Sequence, residues 1–284
     1  MINLDEQRLV SLERGFHIPP KPELLSQIAD EMQKSDASLD KIALLISKEI
    51  SLSALLLKTI NSPVFGLQRT ISDIRQAAMF LGLEQLNRLV TMALLKQNFN
   101  GNACISLERF WDESLEVANA CVLLGNSYKS LMPVDELYSL GLFHNVGIAA
   151  MALKFTDYVE VLKQANLAKE HAITDLEQAR YQCDHAVIGY FISVSWHLPK
   201  PLCHVILNHH NTHFLAQNND EQQRMAYAIL KCAESAVDYA RHQQYSSECL
   251  KSKRRVLLSL VLLSKILLIW SKITSTMRWQ VKAI

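Results

Sequence analysis

Apolar residues recur at helical spacing along most of the chain, and this periodicity constrains the fold more than any other feature of the sequence. In the segment that begins at Leu39, for example, Ile42, Ile46 and Ile50 fall on one helical face. No stretch shows sustained period-2 alternation, the pattern of a half-buried strand. With 49% hydrophobic residues in 284, the chain can bury a sizeable core. We therefore predict an all-α fold.

Capping and helix-breaking residues place the helix boundaries. The prolines in segment 19–22 predict an extended entry before the first long helix, since a proline biases the residue before it away from helical geometry. Ser72 is predicted to cap a helix that Gly82 ends, Pro133 to open another, and Asp184 to cap a third. Further helices are predicted over about 24–32, 39–50, 53–60, 84–97, 106–128, 133–153, 157–165, 175–182, 186–196, 199–210 and 221–242.

Charge and cysteine usage exclude several classes of protein. The net charge is +1, but all residues after Glu248 are neutral or basic, so 21 basic and 28 acidic residues precede position 249. An acidic body with one short basic cluster, 251–255, argues against nucleic-acid binding. The six cysteines are scattered and form no Cys-x-x-Cys pair, and the N-terminus lacks a secretion signal. We expect a reduced, cytoplasmic protein.

The apolar segment 256–270 has 15 residues, whereas a membrane span needs about 20. Lys265 near its middle would cost roughly 2.5 to 3.5 kcal/mol on insertion. We predict no transmembrane helix. The segment can instead pack against the body, form a partner or dimer surface, or lie on anionic lipid through the basic cluster 251–255.

The pair His144-Asn145 lies inside an apolar run between Gly141 and Gly147. A histidine beside an oxygen-bearing side chain can present two ligands to one metal ion. An aspartate at the second position would add the negative charge that a divalent cation needs, whereas the amide of Asn145 is neutral and binds such a cation far less well. The pair therefore resembles half of a hydrolase site that has lost its central anionic ligand. A plainer interpretation is that both residues form hydrogen bonds in a filled pocket.

Three further histidines are candidates for the same pocket. His185 follows the predicted cap Asp184, and His209-His210 stands near the end of a predicted helix. A buried histidine that joins two helices would explain the first, and the negative helix terminus would explain the other two. Alternatively, they line a pocket with His144 that binds an anion or nucleotide. No phosphate loop, nucleophile elbow or His-Glu-x-x-His motif is present.

Several motifs occur together in one order along the chain. They are the proline-rich entry at 18–22, the Asn-Ser-Pro-Val-Phe-Gly turn at 61–66, the helix pattern at 71–82, Phe110-Trp111-x-x-Ser114-Leu115, and the His144 stretch. This combination, which extends to about Asn211, resembles the HDOD domain, the HD-related output domain of bacterial signalling proteins. The resemblance implies an N-terminal helical lobe at 1–105, a degenerate HD-like lobe at 106–215, and C-terminal helices with a basic tail at 216–284.

The resemblance also implies where a metal would bind in an HD phosphohydrolase. Glu113 stands in place of the first histidine, His144 is kept, Asn145 replaces the aspartate, and Glu234 replaces a later aspartate. This set predicts a degenerate and vacant metal site. The candidate ligand-pocket residues are His144, His185, His209 and His210. We expect no cofactor, and a divalent metal only at low affinity.

We therefore predict a non-catalytic bacterial signal-transduction module. It would bind a signalling protein of a two-component or cyclic-dinucleotide pathway, or a small anionic ligand. The alternative is a weak metal-dependent phosphohydrolase that acts on a nucleotide or phosphodiester and uses Glu113, His144, Asn145 and Glu234.

Overall fold

The computed structural model describes residues 15–16, 18–62, 67, 70–126, 132–167 and 172–242. Within these ranges the regular structure is helical and no strand occurs, which confirms the predicted all-α fold. The chain divides into two compact units. The N-terminal unit is Pro19–Asn100, and the C-terminal unit comprises residues 101–242 together with residues 15, 16 and 18.

The N-terminal unit is built from helices that pack on a long, broken helix: α1 (Glu23–Met32), α2 (Leu39–Ser47), α3 (Ile50–Ile60) and α4 (Ile74–Asn98). The break in α4 is at Gly82, whose φ of 77° favours glycine. The N-cap of α4 is Asp73, which accepts a hydrogen bond from the Gln76 amide at 2.8 Å. Ser72 was predicted for this role, but the carboxylate one residue later is the side chain that reaches the amide.

Asn61, the first residue of the Asn-Ser-Pro turn, forms hydrogen bonds with the backbone of Ile71. Its side-chain oxygen accepts from the Ile71 amide, and its side-chain nitrogen donates to the Ile71 carbonyl, each at 2.8 Å. Both backbone groups of Ile71 are therefore satisfied by one amide side chain. This clamp fixes the chain shortly before α4.

The C-terminal unit contains the remaining helices: α5 (Leu107–Gly125), α6 (Val134–Phe143), α7 (Val146–Lys154), α8 (Tyr158–Leu167), α9 (Ile173–Tyr181), α10 (His185–Ser195), α11 (Lys200–Asn208), α12 (Phe214–Gln217) and α13 (Glu221–His242). Its core includes the fully buried Trp111, Phe143 and Tyr158. Ser106 caps α5 and Asp184 caps α10, the latter as predicted.

Two glycines let helices meet at backbone distance. A Cβ at Gly141 would lie 2.6 Å from the Ala118 Cα atom, so α5 and α6 touch there. A Cβ at Gly147 would lie 2.0 Å from the His185 carbonyl oxygen. Only glycine permits such an approach. The start of α7, and with it the His144-Asn145 pair, is thereby held against the start of α10.

None of the described helices is long and apolar enough to cross a membrane. Three segments on which sequence predictions depend lie outside the described residues: segment 63–66 of the turn, the basic cluster 251–255 and the apolar segment 256–270.

Candidate functional site

The pocket is formed where four helix ends of the C-terminal unit meet. His144 ends α6 and Asn145 precedes α7, while His185 is the first residue of α10. His209 and His210 directly follow α11. We call His185, His209 and His210 the histidine cluster. One ligand atom from each lies within 4.8 Å of the others.

The Nε2 atoms of the histidine cluster face one another. His185 Nε2 lies 2.9 Å from His210 Nε2 and 3.4 Å from His209 Nε2. His209 Nε2 also lies 3.1 Å from Asn145 Oδ1. His185 and His209 are buried, and His210 is half-buried. Three imidazole nitrogens and one amide oxygen therefore point to one small volume.

The opposite ring nitrogens determine which atom carries the proton. His209 Nδ1 lies 2.6 Å from the Ile206 carbonyl oxygen, and His185 Nδ1 lies 2.7 Å from a Glu177 carboxylate oxygen. Both of these oxygens only accept, so each Nδ1 donates its proton. In the neutral rings, the Nε2 atoms then carry lone pairs directed into the cluster.

The side chain of Asn145 does not cap the helix that follows it. It occupies the N-cap position of α7, where an asparagine commonly accepts a hydrogen bond from the first turn, but it makes no such bond. Its oxygen is directed at His209 instead. The residue therefore contributes to the pocket and not to the helix end.

Glu177 on α9 holds His185 in place from behind. It is fully buried, and its carboxylate accepts hydrogen bonds from the His185 ring, from the His185 amide at 3.0 Å, and from the Tyr158 hydroxyl. Burial by itself would raise the pKa of Glu177, but its electrostatic interaction with His185 and these hydrogen bonds lower it. A carboxylate behind a histidine is the arrangement that orients metal-binding imidazoles in proteins.

His144 lies on the other side of the pocket, where we define the lysine side as His144, Lys231 and Glu234. His144 Nδ1 donates to the Gly141 carbonyl at 2.7 Å, and His144 Nε2 lies 3.4 Å from Glu234 Oε1. Burial lowers the pKa of His144 to about 4. The ring is therefore neutral near pH 7. The other Glu234 oxygen, Oε2, lies 2.8 Å from Lys231 Nζ.

Glu113 lies elsewhere. Burial raises its pKa, and the charges that act on it belong to its own helix and to the C-terminal end of α13: Arg241, His242, Glu116 and Asp238. Arg241 is seven residues beyond Glu234, or about 10 Å along the helix. The structure thus brings Asn145, Glu234 and all four predicted pocket histidines together, and it places Glu113 beside a different charge group.

Burial also affects His209 of the histidine cluster. It lowers the pKa of His209 well below its usual value, and the positive charges of His210 and Lys231 act in the same direction. Protonation of His209 is therefore disfavoured. Neutral imidazole is the form that binds metal ions.

Sequence reasoning missed three residues of the site. Glu177 and Tyr158 come from helices predicted only as helices, and Lys231 has the i,i+3 spacing to Glu234 of an ordinary surface ion pair. Only the position of Lys231 within the apolar stretch from Met225 to Ala233 of α13 indicates that it faces inward.

The C-terminal unit is thus an all-helical unit that brings four histidines and a His-Asn pair together at its helix ends. The family comparison is specific: residues 18–212 match the HDOD domain. The chain belongs to the HDOD domain family.

Individual relatives share a low percentage of identical residues with this chain. An uncharacterized protein of Treponema pallidum is 25% identical over 202 residues, which is 70% of this chain and 39% of that protein. The chain thus spans about two fifths of the length of that relative. An HDOD domain protein of unknown function from Geobacter sulfurreducens has a TM-score of 0.68 at 22% identity, covering 94% of this chain and 97% of its own.

A proposed phosphohydrolase from Shewanella amazonensis also has a TM-score of 0.68, at 19% identity, and covers 94% of this chain and 93% of its own. At these identities the solved structures support the fold alone. The family fits a signal-transduction module, and the histidine cluster is a group that could hold a metal ion.

Proposed function

We propose that this protein is a signal-transduction module whose histidine cluster binds one divalent metal ion without hydrolysing phosphate esters. The convergence of the three Nε2 atoms carries the proposal. In His185 and His209 the Nδ1 proton is committed to a fixed acceptor, and the two Nε2 atoms face each other across 3.4 Å. A cation between two such lone pairs removes their mutual repulsion.

The distances fit an ion of ordinary size. Around a metal with bonds of about 2.1 Å to nitrogen, neighbouring ligand atoms lie roughly 3.0 to 3.4 Å apart. The separations of 2.9, 3.1 and 3.4 Å within the cluster and to Asn145 are close to this range. Imidazole ligands favour Zn²⁺, Ni²⁺ or Fe²⁺, whereas Mg²⁺ and Ca²⁺ prefer oxygen. When bound, the ion would join the start of α10 and the end of α11 to the start of α7.

The ligand set argues against efficient phosphoester hydrolysis. Two-metal hydrolysis clamps the attacking and leaving oxygens between two ions. Here the amide of Asn145 stands at the centre, Glu177 is turned toward His185, and Glu234 is paired with Lys231. These residues offer one cluster of nitrogen ligands and no carboxylate free to bridge two ions.

A weak metal-dependent phosphohydrolase is the second candidate. One observation favours it: three histidines that converge are also the ligands of some catalytic zinc sites. A metal-free pocket is the third possibility. In that state His210 Nε2 would donate to His185 Nε2, and a rotated Asn145 amide would donate to His209.

Metal analysis separates these alternatives. Purified protein is dialysed against Zn²⁺ or Ni²⁺ and analysed by atomic emission, with His209→Ala and the exposed His204→Ala as a matched pair. We expect about one ion per chain in the wild type and in His204→Ala. His209→Ala should bind at least ten times more weakly. Absence of metal from all three proteins would support the hydrogen-bonded pocket and contradict the proposal.

A hydrolysis assay distinguishes the two metal-bound candidates. We expect no turnover of bis-p-nitrophenyl phosphate or of cyclic dinucleotides above that of His209→Ala. Turnover by the wild type that His209→Ala abolishes would establish the phosphohydrolase instead.

The proposal includes the partner predicted from the family, a signalling protein of a two-component or cyclic-dinucleotide pathway. It also allows a small anion to fill an open coordination position of the ion. Calorimetric titration with phosphate, run on metal-loaded and metal-free protein, tests the second point. Binding of phosphate only to the loaded form is the expected result, and equal binding by both forms would contradict it.

A further inference from the structure

On the lysine side of the pocket, two hydrogen-bond acceptors lie close together. His144 Nε2 carries a lone pair because its Nδ1 proton is donated to Gly141, and the nearest carboxylate oxygen, Glu234 Oε1, lies 3.4 Å away. Two atoms that only accept face each other. In a metal-dependent relative of this fold, a divalent ion would bind between such groups.

Lys231 supplies a cation beside Glu234. Its Nζ atom lies 2.8 Å from Glu234 Oε2, so Lys231 and His144 contact the same carboxylate. The side chain of Lys231 is only 5% exposed, and that of Glu234 is 23% exposed. A lysine this buried is rarely tolerated unless its charge is paired. Because Glu234 contacts both Lys231 and His144, the ammonium group lies on the His144 side of the pocket.

We propose that the ammonium group of Lys231 replaces the metal ion on the His144 side, so that only the histidine cluster of this pocket can take up metal. A metal ion does not fit that side as it stands, because the carboxylate that would bind it is held by an internal cation. The pocket thus combines one permanent charge supplied by the chain with one exchangeable site.

The net charge supports this replacement. A divalent ion with two carboxylates, one at position 145 and one at 234, is neutral as a group. Lys231 with Glu234 and the uncharged Asn145 is also neutral. The asparagine and the lysine therefore form a matched pair of changes. An aspartate at 145 would leave the pocket as a whole with one excess negative charge, and a metal ion beside Lys231 would leave excess positive charge.

The inference rests on the proposed function only for the statement that the histidine cluster is the remaining site. Its test is therefore a difference between variants. If the wild type bound no metal, the proposed function would fail, yet the replacement of an ion by Lys231 would still be measurable.

The decisive variant is the double substitution Lys231→Met with Asn145→Asp, which removes the ammonium group and restores the carboxylate. Metal content is measured after dialysis against Mn²⁺ or Zn²⁺. We expect one ion per chain more than in the wild type. Asn145→Asp alone should gain none, because Lys231 remains beside Glu234. An equal gain in the single and double variants, or no gain in either, would overturn the proposal.

A second variant covers the case in which the double variant does not fold. The substitution Glu234→Gln removes the carboxylate charge of the lysine side. If Lys231 occupies the place of an ion there, no bound metal ion depends on that charge. We therefore expect an unchanged metal content and less than a twofold change in affinity, with folding checked by circular dichroism. Loss of one ion per chain in Glu234→Gln would show that Glu234 is a metal ligand and would overturn the proposal.

Discussion

The two sides of the pocket meet a common physical problem in different ways. On both sides, buried atoms that can only accept hydrogen bonds converge: two imidazole nitrogens in the histidine cluster, and an imidazole nitrogen with a carboxylate on the lysine side. On the lysine side the chain supplies the cation, through Lys231. In the histidine cluster, by the proposal, the cation comes from solution.

The difference has a consequence for signalling. A charge that is covalently part of the chain is always present, whereas an ion that binds only the folded state adds stability in proportion to the logarithm of its concentration. Under the proposal, the histidine cluster can respond to metal supply and the lysine side cannot. The following predictions test this contrast, starting with the largest expected effect.

Glu177→Ala should damage the histidine cluster most. The substitution removes the acceptor of three buried donors, two of them on His185 and one on Tyr158. We expect a loss of about 3 to 5 kcal/mol in the free energy of unfolding, measured with urea. Metal affinity should fall by roughly 10- to 100-fold because His185 loses its orientation.

Glu160→Ala is the control for this substitution. Glu160 is an exposed glutamate of α8 that pairs with Lys163 at 2.8 Å, and its removal should cost less than about 1 kcal/mol. Equal effects of the two substitutions would mean that Glu177 does not hold the pocket together.

Lys231→Met should destabilise the protein through the lysine side alone. It leaves the Glu234 carboxylate facing His144 without its ammonium partner, and we expect a loss of roughly 2 to 3 kcal/mol. Zn²⁺ affinity of the histidine cluster should stay within about threefold of the wild type, because the hydrogen bonds that orient His185 and His209 go to Glu177 and Ile206.

Lys163→Met is matched to this variant. Lys163 also lies three residues from its glutamate at 2.8 Å, but its side chain is 63% exposed. Water already screens that pair, so a change below about 0.5 to 1 kcal/mol is expected. A similar loss in both variants would argue that Lys231 is an ordinary surface lysine.

Acid should destabilise the metal-free protein in a defined window. His144 has a pKa of about 4 in the folded state because it is buried, against roughly 6.5 when unfolded. Protons therefore bind the unfolded state better, and stability falls as the pH drops from about 6.5 toward 4. For His144 alone we expect a loss of about 2 kcal/mol between pH 7 and pH 5.

Burial of His209 adds to this loss in the same direction. The measurement is urea unfolding at both pH values for the wild type and His144→Gln. The variant should lose less stability on acidification. If the two proteins respond equally, the buried neutral state of His144 is not the cause.

Tyr158→Phe should have the smallest effect. It removes one hydroxyl donor from Glu177 while leaving both hydrogen bonds from His185 in place. We expect a loss of about 1 kcal/mol and a decrease in metal affinity of not more than tenfold. A larger decrease in affinity than in Glu177→Ala would contradict the order of contacts from Tyr158 through Glu177 to His185.

Much of the pocket could be predicted because its residues belong to motifs. His144, Asn145, His185, His209 and His210 stand in local patterns that survive in the sequence, and the structure places all five together. Gly141 and Gly147 flank the central pair, and the space for a side chain is absent at both. The caps at Asp184 and the opening of α11 at Pro199 follow from local backbone chemistry as well.

The partners of these residues could not be predicted in the same way. Glu177 lies on a polar helix that resembles a solvated surface, and it is buried only because α9 is packed so that this one side chain reaches His185. Ser72 and Asp73 are both good caps, and only the turn geometry selects the second.

The sequence by itself determined that the chain is helical, that it resembles the HDOD family, and that its central pair lacks a negative charge, because these properties depend on residue type and short-range spacing. Tertiary structure alone decided which carboxylate orients His185, where Glu113 lies, and that Lys231 points inward to Glu234. The reason is physical. The sequence pattern around a charged residue is compatible with a solvated or a buried side chain, and only the packing of neighbouring helices determines which of the two occurs.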